Sequence, residues 1–456
     1  VVARAAHGYG LIAGLPAGHM EQHPETWLQA VAATAHEVFG QIDRDRIAGI
    51  GVSGQQHGCV VLDDEGQVVR PAKLWCDTAT AEQARRLGVP TGFTASKLSW
   101  LKECEPENWR RVRRVLLPHD YLDFVLTGTA SMECGDASGT GWFEATTRTF
   151  DATRMAAIDP QLPAMLPPLL EAGAFAGQLD ARGAALLGLR QGIPVSAGGG
   201  DNMMSAIGSG ATRPGVVVVS LGTSGTIFTR TEAAVVDPDG LIAPFCSSDG
   251  AWLPLLCVMN LTGVSEEVVA LTGMDHAALT ARAREVAPGC DGLLWLPFLL
   301  GERVPDLPDA TGTLLGMRPG LLRPGHLYRA ALEGTSLNLG AGLRRMQRLG
   351  IAATEVRLVG GAANNPLWRE ILAAVFALPV EPLLETESAA LGAALQALWS
   401  VRRATEPGLS ADAVAAPFVR LSGERTEPAA AWVDHYRGMA DRFDAAVGDC
   451  YRSDGD

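Results

Sequence analysis

The sequence predicts an α/β fold of two domains around a central cleft. Two observations carry that prediction: both halves of the chain show helix-to-strand order ending in a glycine-rich turn, and 456 residues exceed one hydrophobic core at about 150 residues per domain. In the first half, Trp27, Leu28, Val31, Ala35 and Val38 share one broad face, which predicts a helix over Glu25 to Phe39. RIAGIGVSG, Arg46 to Gly54, reads as a strand closing in a glycine turn, and CVVLDDEGQVVR, Cys59 to Arg70, as a hairpin turning at DDEG. In the second half a helix over Leu327 to Leu349 leads to a strand over Glu355 to Val359, the turn GGAANN from Gly360 to Asn365, and a helix over Pro366 to Phe376. Glycine turns at the carboxyl ends of strands are where α/β folds take their ligands. The region after Pro417 predicts a helix packed on the second domain.

Two neighbouring segments carry the chemistry. Asp201 follows the glycines Gly198 to Gly200, so its carboxylate projects from a turn, and VVVVSLGTSG places Gly222, Thr223, Ser224 and Gly225 after a β-branched run. Such a run bounded by glycine fits a strand covered on both faces. The small turn after it lets backbone N–H groups and two hydroxyls approach an anion. A carboxylate base beside a phosphate cradle suits phosphoryl transfer to a hydroxyl. Each segment alone also fits a blander reading, a plain turn for GTSG and a helix cap before NMMSAIGSG for Asp201.

Lysine usage narrows the nucleotide question. Lys73, Lys97 and Lys102 are the only lysines, and no GxxxxGK[ST] occurs. A P-loop is excluded, because that loop needs its lysine on the β and γ phosphates. Any ATP must be held by backbone amides, hydroxyls, arginine and Mg²⁺. The formal net charge of -14 argues against a nucleic-acid partner. Eight scattered cysteines without a CxxC pair read as reduced, mostly buried thiols of a cytoplasmic protein. LLWLPFLL, Leu293 to Leu300, is too short for a bilayer.

GQQHG, Gly54 to Gly58, offers Gln56 and His57 at the end of a strand to a polyhydroxylated ligand, or simply a surface turn. LWCDT adds Trp75 and Asp77, an aromatic face and a carboxylate that suit a sugar, or a core tryptophan with a structural acid. Arg303 in LLGERVP reads as a cleft contact or, by the prolines at 305 and 308, a structural anchor. Asp136 in GDASGTGW lines a sugar pocket or caps a turn.

Taken in order, GQQHG, LWCDT, GGGDN, SLGTSG, LPFLLGERVP and LVGGAANNPLW resemble the carbohydrate kinases named for their Phe-Gly-Gly-Tyr motif, most nearly the xylulose kinase branch. Gly312, Leu314, Gly316, His326, Leu327, Ala331, Leu332 and Glu333 match the second-domain signature of that family. The resemblance implies two ribonuclease H-like domains of the actin, sugar kinase and heat-shock ATPase type. It divides the chain into a sugar-binding domain, 1–209, and a nucleotide-binding domain, 210–456. It implies ATP with Mg²⁺ as cofactors and D-xylulose as the small-molecule partner, phosphorylated at its 5-hydroxyl, with Asp201 as general base. Gln56, His57, Trp75, Asp77 and Asn202 would bind substrate. Gly222, Thr223, Ser224, Gly263, Gly360, Gly361, Ala362 and Asn364 would bind nucleotide. No metal ligands are assigned, no nucleic acid or membrane partner is implied, and a homodimer stays open.

Three departures qualify the resemblance. Gln56 stands where the branch commonly has methionine, and Ala362 replaces a glycine. An opening strand with an Asp-x-Gly-Thr turn, about twenty residues or one hairpin, is expected ahead of Val1 and does not occur in the sequence, and a second gap is expected near Gly88. Rival readings are a kinase for another polyol such as L-ribulose, gluconate or glycerol, a sugar-binding protein without catalysis, and an actin-like ATPase.

Overall fold

A computed structural model describes residues 1–451. The chain forms two compact units. One comprises Val1–Thr212, Pro244–Leu253 and Glu387–Phe418; the other comprises Arg213–Ala243, Pro254–Thr386 and the described residues from Val419 onward. The first change of unit thus falls three residues beyond the expected 209/210 boundary, and two later segments return to the first unit.

The second unit is organised by the strand Gly215–Leu221, whose apolar residues are buried on both faces, as its valine run dictates. It pairs antiparallel with Gly225–Thr229 and parallel with Ala353–Val359, which in turn pairs with Val380–Pro382. The helix Pro324–Arg348 packs against this sheet, and the helix Pro366–Phe376 joins it through Trp368 Nε1, which donates to Ser336 Oγ at 3.0 Å. The helix Ala430–Tyr451 closes the same core. Buried Glu333 ties these pieces, accepting from Arg329 Nε and Tyr436 Oη at 2.7 Å each and from the Gly289 N–H at 3.1 Å. Breaking such a buried network by removing one partner is costly because it strands a charge, so the Glu333 of the signature is a structural residue.

The first unit is built from short strands and several small cores. The helix Pro24–Phe39 forms as its apolar spacing predicts. The expected strand over Arg46 to Gly54 is realised only at Ser53–Gly54, which pairs parallel with Gly199–Gly200, and at a bridge from Ile50 to Val195. Glycine weakens a strand interior, and here Gly51 is needed for a close approach: a Cβ on it would land on the Ala393 carbonyl oxygen. The Cys59 to Arg70 hairpin closes through Asp63 Oδ1, which accepts from Gln67 N–H at 2.8 Å. Its first strand, Val60–Leu62, takes Arg114–Leu116 as its regular antiparallel partner.

The helix Asp201–Gly208 is packed against Ser388–Arg403 by two small residues, Gly208 and Gly392, with Ser205 Oγ and Ser388 Oγ 2.7 Å apart. None of the eight cysteines forms a disulfide; Cys59, Cys246 and Cys290 are buried but Cys104 and Cys450 are exposed, whereas the sequence suggested mostly buried thiols. Among the described residues no helix is long and apolar enough to cross a membrane.

Candidate active site

In the first unit the parallel pairing of Ser53–Gly54 with Gly199–Gly200 sets the next residues of each strand side by side. Asn202 Nδ2 donates to Gln56 Oε1 at 2.8 Å and to Asp201 Oδ1 at 3.1 Å, and the Asn202 N–H donates to Asp201 Oδ1 at 2.8 Å. Gln56 is buried and its Nε2 has no partner among the described residues. An unmet buried donor is costly, and a hydroxyl-rich ligand would meet it. Gly200 is required here, because a Cβ on it would lie 2.6 Å from Gln56 Cγ.

Asp201 opens its helix, where the positive end of the backbone dipole favours a carboxylate. Desolvation by the surrounding chain pushes its carboxyl up to about 6, opposed by the Asn202 hydrogen bonds and assisted by the charge of Asp136. Asp201 keeps an exposed surface, so its carboxylate is open to a ligand.

His57 sits in the left-handed region at φ 63°. Its Nδ1 lies 3.1 Å from the Gly139 carbonyl oxygen, so Nδ1 carries the proton and, in the neutral ring, Nε2 accepts. The ring stacks on Phe93 with centroids 4.7 Å apart. A Cβ on Gly139 would fall on that ring.

The two readings of Asp136 resolve into a third. Asp136 is fully buried and its Oδ2 accepts from His119 Nδ1 at 2.6 Å, while the turn is capped by Glu133, which accepts the Gly135 and Asp136 N–H groups. Desolvation opposes a charge on His119, yet the carboxylates of Asp120 and Asp136 raise its pKa well above the ordinary value, so it stays protonated. Asp136 therefore acts on Asp201 through its field. Sequence reasoning missed His119; the acidic neighbour in PHD was its only signal.

One expected residue lies elsewhere. The structure does not bring Asp77 to this cluster: it is fully buried and its Oδ2 takes Lys73 Nζ at 3.0 Å and the Met20 N–H at 2.9 Å. The Lys73–Asp77 pair at spacing four was legible in the sequence. Trp75 keeps an exposed indole, 38 % accessible, as a sugar-facing ring would require.

In the second unit three turns converge. Gly222, Thr223 and Ser224 form the loop of the hairpin between Gly215–Leu221 and Gly225–Thr229. The Leu261 and Thr262 N–H groups donate to the Thr223 and Gly222 carbonyls at 3.1 Å each, so Gly263 at the start of the helix Thr262–Thr272 lies beside that loop. Gly360 follows the adjacent parallel strand at φ 94°, and a Cβ on it would lie 2.6 Å from the Leu221 carbonyl oxygen. Gly361, Ala362 and Asn364 form the short helical turn Gly361–Asn364, and Asn365 caps the next helix by accepting from Leu367 and Trp368 N–H. Two glycine turns at the ends of neighbouring parallel strands form a ready cradle for phosphates and a nucleoside.

LLGERVP contributes differently from expectation. Arg303 is exposed, and the anchor is buried Glu302, which accepts from the Met259 N–H at 2.6 Å, the Arg303 N–H at 2.8 Å and Asn260 Nδ2 at 3.2 Å. Asn260 and Met259 directly precede the turn that braces Gly222 and Thr223.

Among the described residues one group of three metal-ligating side chains occurs, His19, Glu21 and Asp77. It already surrounds the Lys73 ammonium, 3.0 Å from both carboxylates. That arrangement does not fit a divalent cation.

Two family models and many curated proteins match this chain. The N-terminal domain model of the FGGY family of carbohydrate kinases matches residues 1–208, and its C-terminal domain model matches 217–401. The xylulose kinase of Haemophilus influenzae is 38% identical over 407 residues, spanning 84% of this chain and 83% of that protein. The xylulose kinase of Streptomyces coelicolor is 40% identical over 397 residues, spanning 83% and 79%. The crystal structure of xylulose kinase from Rhodospirillum rubrum superposes with a TM-score of 0.87 at 28% identity, covering 96% of this chain and 92% of that one.

Proposed function

The chain belongs to the FGGY family of carbohydrate kinases, and from that membership we propose that it phosphorylates the 5-hydroxyl of D-xylulose from ATP with Asp201 as general base. The observation that carries this reading is the Gln56–Asn202–Asp201 cluster: a carboxylate of raised pKa beside a buried amide donor that lacks a partner. A hydroxyl bound by such an amide lies within reach of the carboxylate that takes its proton. His57 Nε2 and the Trp75 indole supply further sugar contacts.

In the reaction the sugar oxygen forms a bond to the γ-phosphorus while the bond from that phosphorus to the ADP oxygen breaks. Asp201 receives the hydroxyl proton. Amides of Gly222, Thr223 and Ser224 hold the phosphates, Gly263 keeps their flank open, and the Gly360, Gly361, Ala362 and Asn364 turn takes the nucleoside. Mg²⁺ bound with the nucleotide would supply charge neutralisation at the phosphates held by the Gly222 to Ser224 turn. On this reading the enzyme works in the cytoplasm, where its ATP is.

ADP release measured with D-xylulose, L-ribulose, D-ribulose, gluconate and glycerol tests the substrate. A preference for D-xylulose is expected. A preference for another polyol would overturn the substrate while leaving Asp201 as base, and sugar-independent hydrolysis would overturn both.

A further inference from the structure

The helix Thr94–Cys104 carries a fully buried lysine that the chemistry above does not use. Lys97 Nζ donates to the His57 carbonyl oxygen at 2.5 Å and to the Gly92 carbonyl oxygen, and it forms no ion pair among the described residues. Thr94 Oγ1, one turn earlier on the same helix, donates to the same His57 carbonyl at 3.2 Å. The geometry points to Lys97 as a positioning residue for sugar recognition, one that pins the left-handed backbone of His57 and so aims its imidazole at the substrate.

Three features support this beyond the hydrogen bond itself. Left-handed backbone is unfavourable for a non-glycine residue and persists only where its surroundings hold it; two donors converging on the one carbonyl do that here. A buried ammonium without a carboxylate partner is a costly structural tie, and an apolar side chain would join this helix to its neighbour more cheaply. The strain of its position is visible in Lys97 itself: desolvation lowers its pKa to about 7, against the pull of Cys59, Asp77 and Cys76 and with Lys73 adding to the fall. Finally, Phe93, which stacks on the His57 ring, directly precedes Thr94. One short segment thus fixes the carbonyl, the backbone and the ring of the same histidine.

This inference rests on His57 being a sugar contact, and the test separates the two. KM for D-xylulose, KM for ATP, kcat and melting temperature are measured for Lys97→Met, Thr94→Val, His57→Ala and the double variant Lys97→Met/His57→Ala. Lys97→Met is expected to raise KM for D-xylulose about tenfold, the scale of one lost charge-assisted hydrogen bond, with KM for ATP unchanged. In the His57→Ala background the same change is expected to cost less than about twofold, because residues acting through one another are not additive. Thr94→Val is expected to shift KM for D-xylulose in the same direction by a smaller factor, and it carries the test if Lys97→Met does not fold.

Equal penalties in both backgrounds would overturn the positioning role. So would a parallel rise in both KM values with a lowered melting temperature, which is the behaviour of a mere structural tie. If His57→Ala raises KM for D-xylulose and neither Lys97→Met nor Thr94→Val does, only the positioning inference falls. If His57→Ala leaves that KM unchanged, the sugar-binding reading of His57 falls with it.

Discussion

Asp201→Asn is expected to lower kcat by about 10²- to 10⁴-fold, the range over which a positioned general base acts, while KM for ATP and the melting temperature stay near wild type. Asparagine is isosteric and keeps an oxygen for the Asn202 N–H, which donates to Asp201 Oδ1 at 2.8 Å. The change therefore removes the proton acceptor without opening a hole. The same carboxyl fixes the pH dependence. A base works deprotonated, and desolvation raises this one to about 6, so turnover should be level above that pH and fall about tenfold per unit below it. An ordinary aspartate would place the limb near 4. Steady-state ADP release between pH 5 and 8 reads both effects. Wild-type turnover in the variant would remove Asp201 from the mechanism.

Gly392→Ala is expected to destabilise the first unit by about 3 kcal/mol and to lower kcat with it. A Cβ on Gly392 would land on the Met204 carbonyl oxygen, and the reciprocal Cβ on Gly208 would land on the Ser388 carbonyl oxygen. Alanine gains up to about 1 kcal/mol of helix propensity over glycine. Backbone against backbone has no side chain to rotate away, so overpacking costs about 1–3 kcal/mol or more and wins. The helix forced aside is the one that begins with Asp201. Thermal unfolding and kcat measured on one preparation should both fall; an unchanged melting temperature would mean that the two helices tolerate separation.

What was legible in the sequence was local. Apolar spacing located the helix Pro24–Phe39, the helix–strand–turn–helix order located Pro324–Arg348 and Pro366–Phe376, and the valine run located the strand Gly215–Leu221. Asp201, Asn202 and Gln56 were individually visible as polar residues on glycine turns, and the structure joins them by hydrogen bonds. Long-range partnership was not legible. Nothing in Val60–Leu62 names Arg114–Leu116 as its partner, and nothing in Ser388–Arg403 says that it packs on the helix beginning at Asp201. Polar residues were misread where burial decides their role. Asp77 reads as a sugar ligand until Lys73 is seen to occupy it, and nothing in the sequence places the Lys97 ammonium on the carbonyl of His57, forty residues away.

The central claim is transfer of the γ-phosphate to one particular hydroxyl, and phosphorus NMR of the product formed from ATP, Mg²⁺ and D-xylulose tests it most directly. The prediction is a monoester resonance coupled to the two protons on C5, formed in step with ADP. Inorganic phosphate appearing at the same rate with and without the sugar, or phosphate attached at another carbon, would contradict it.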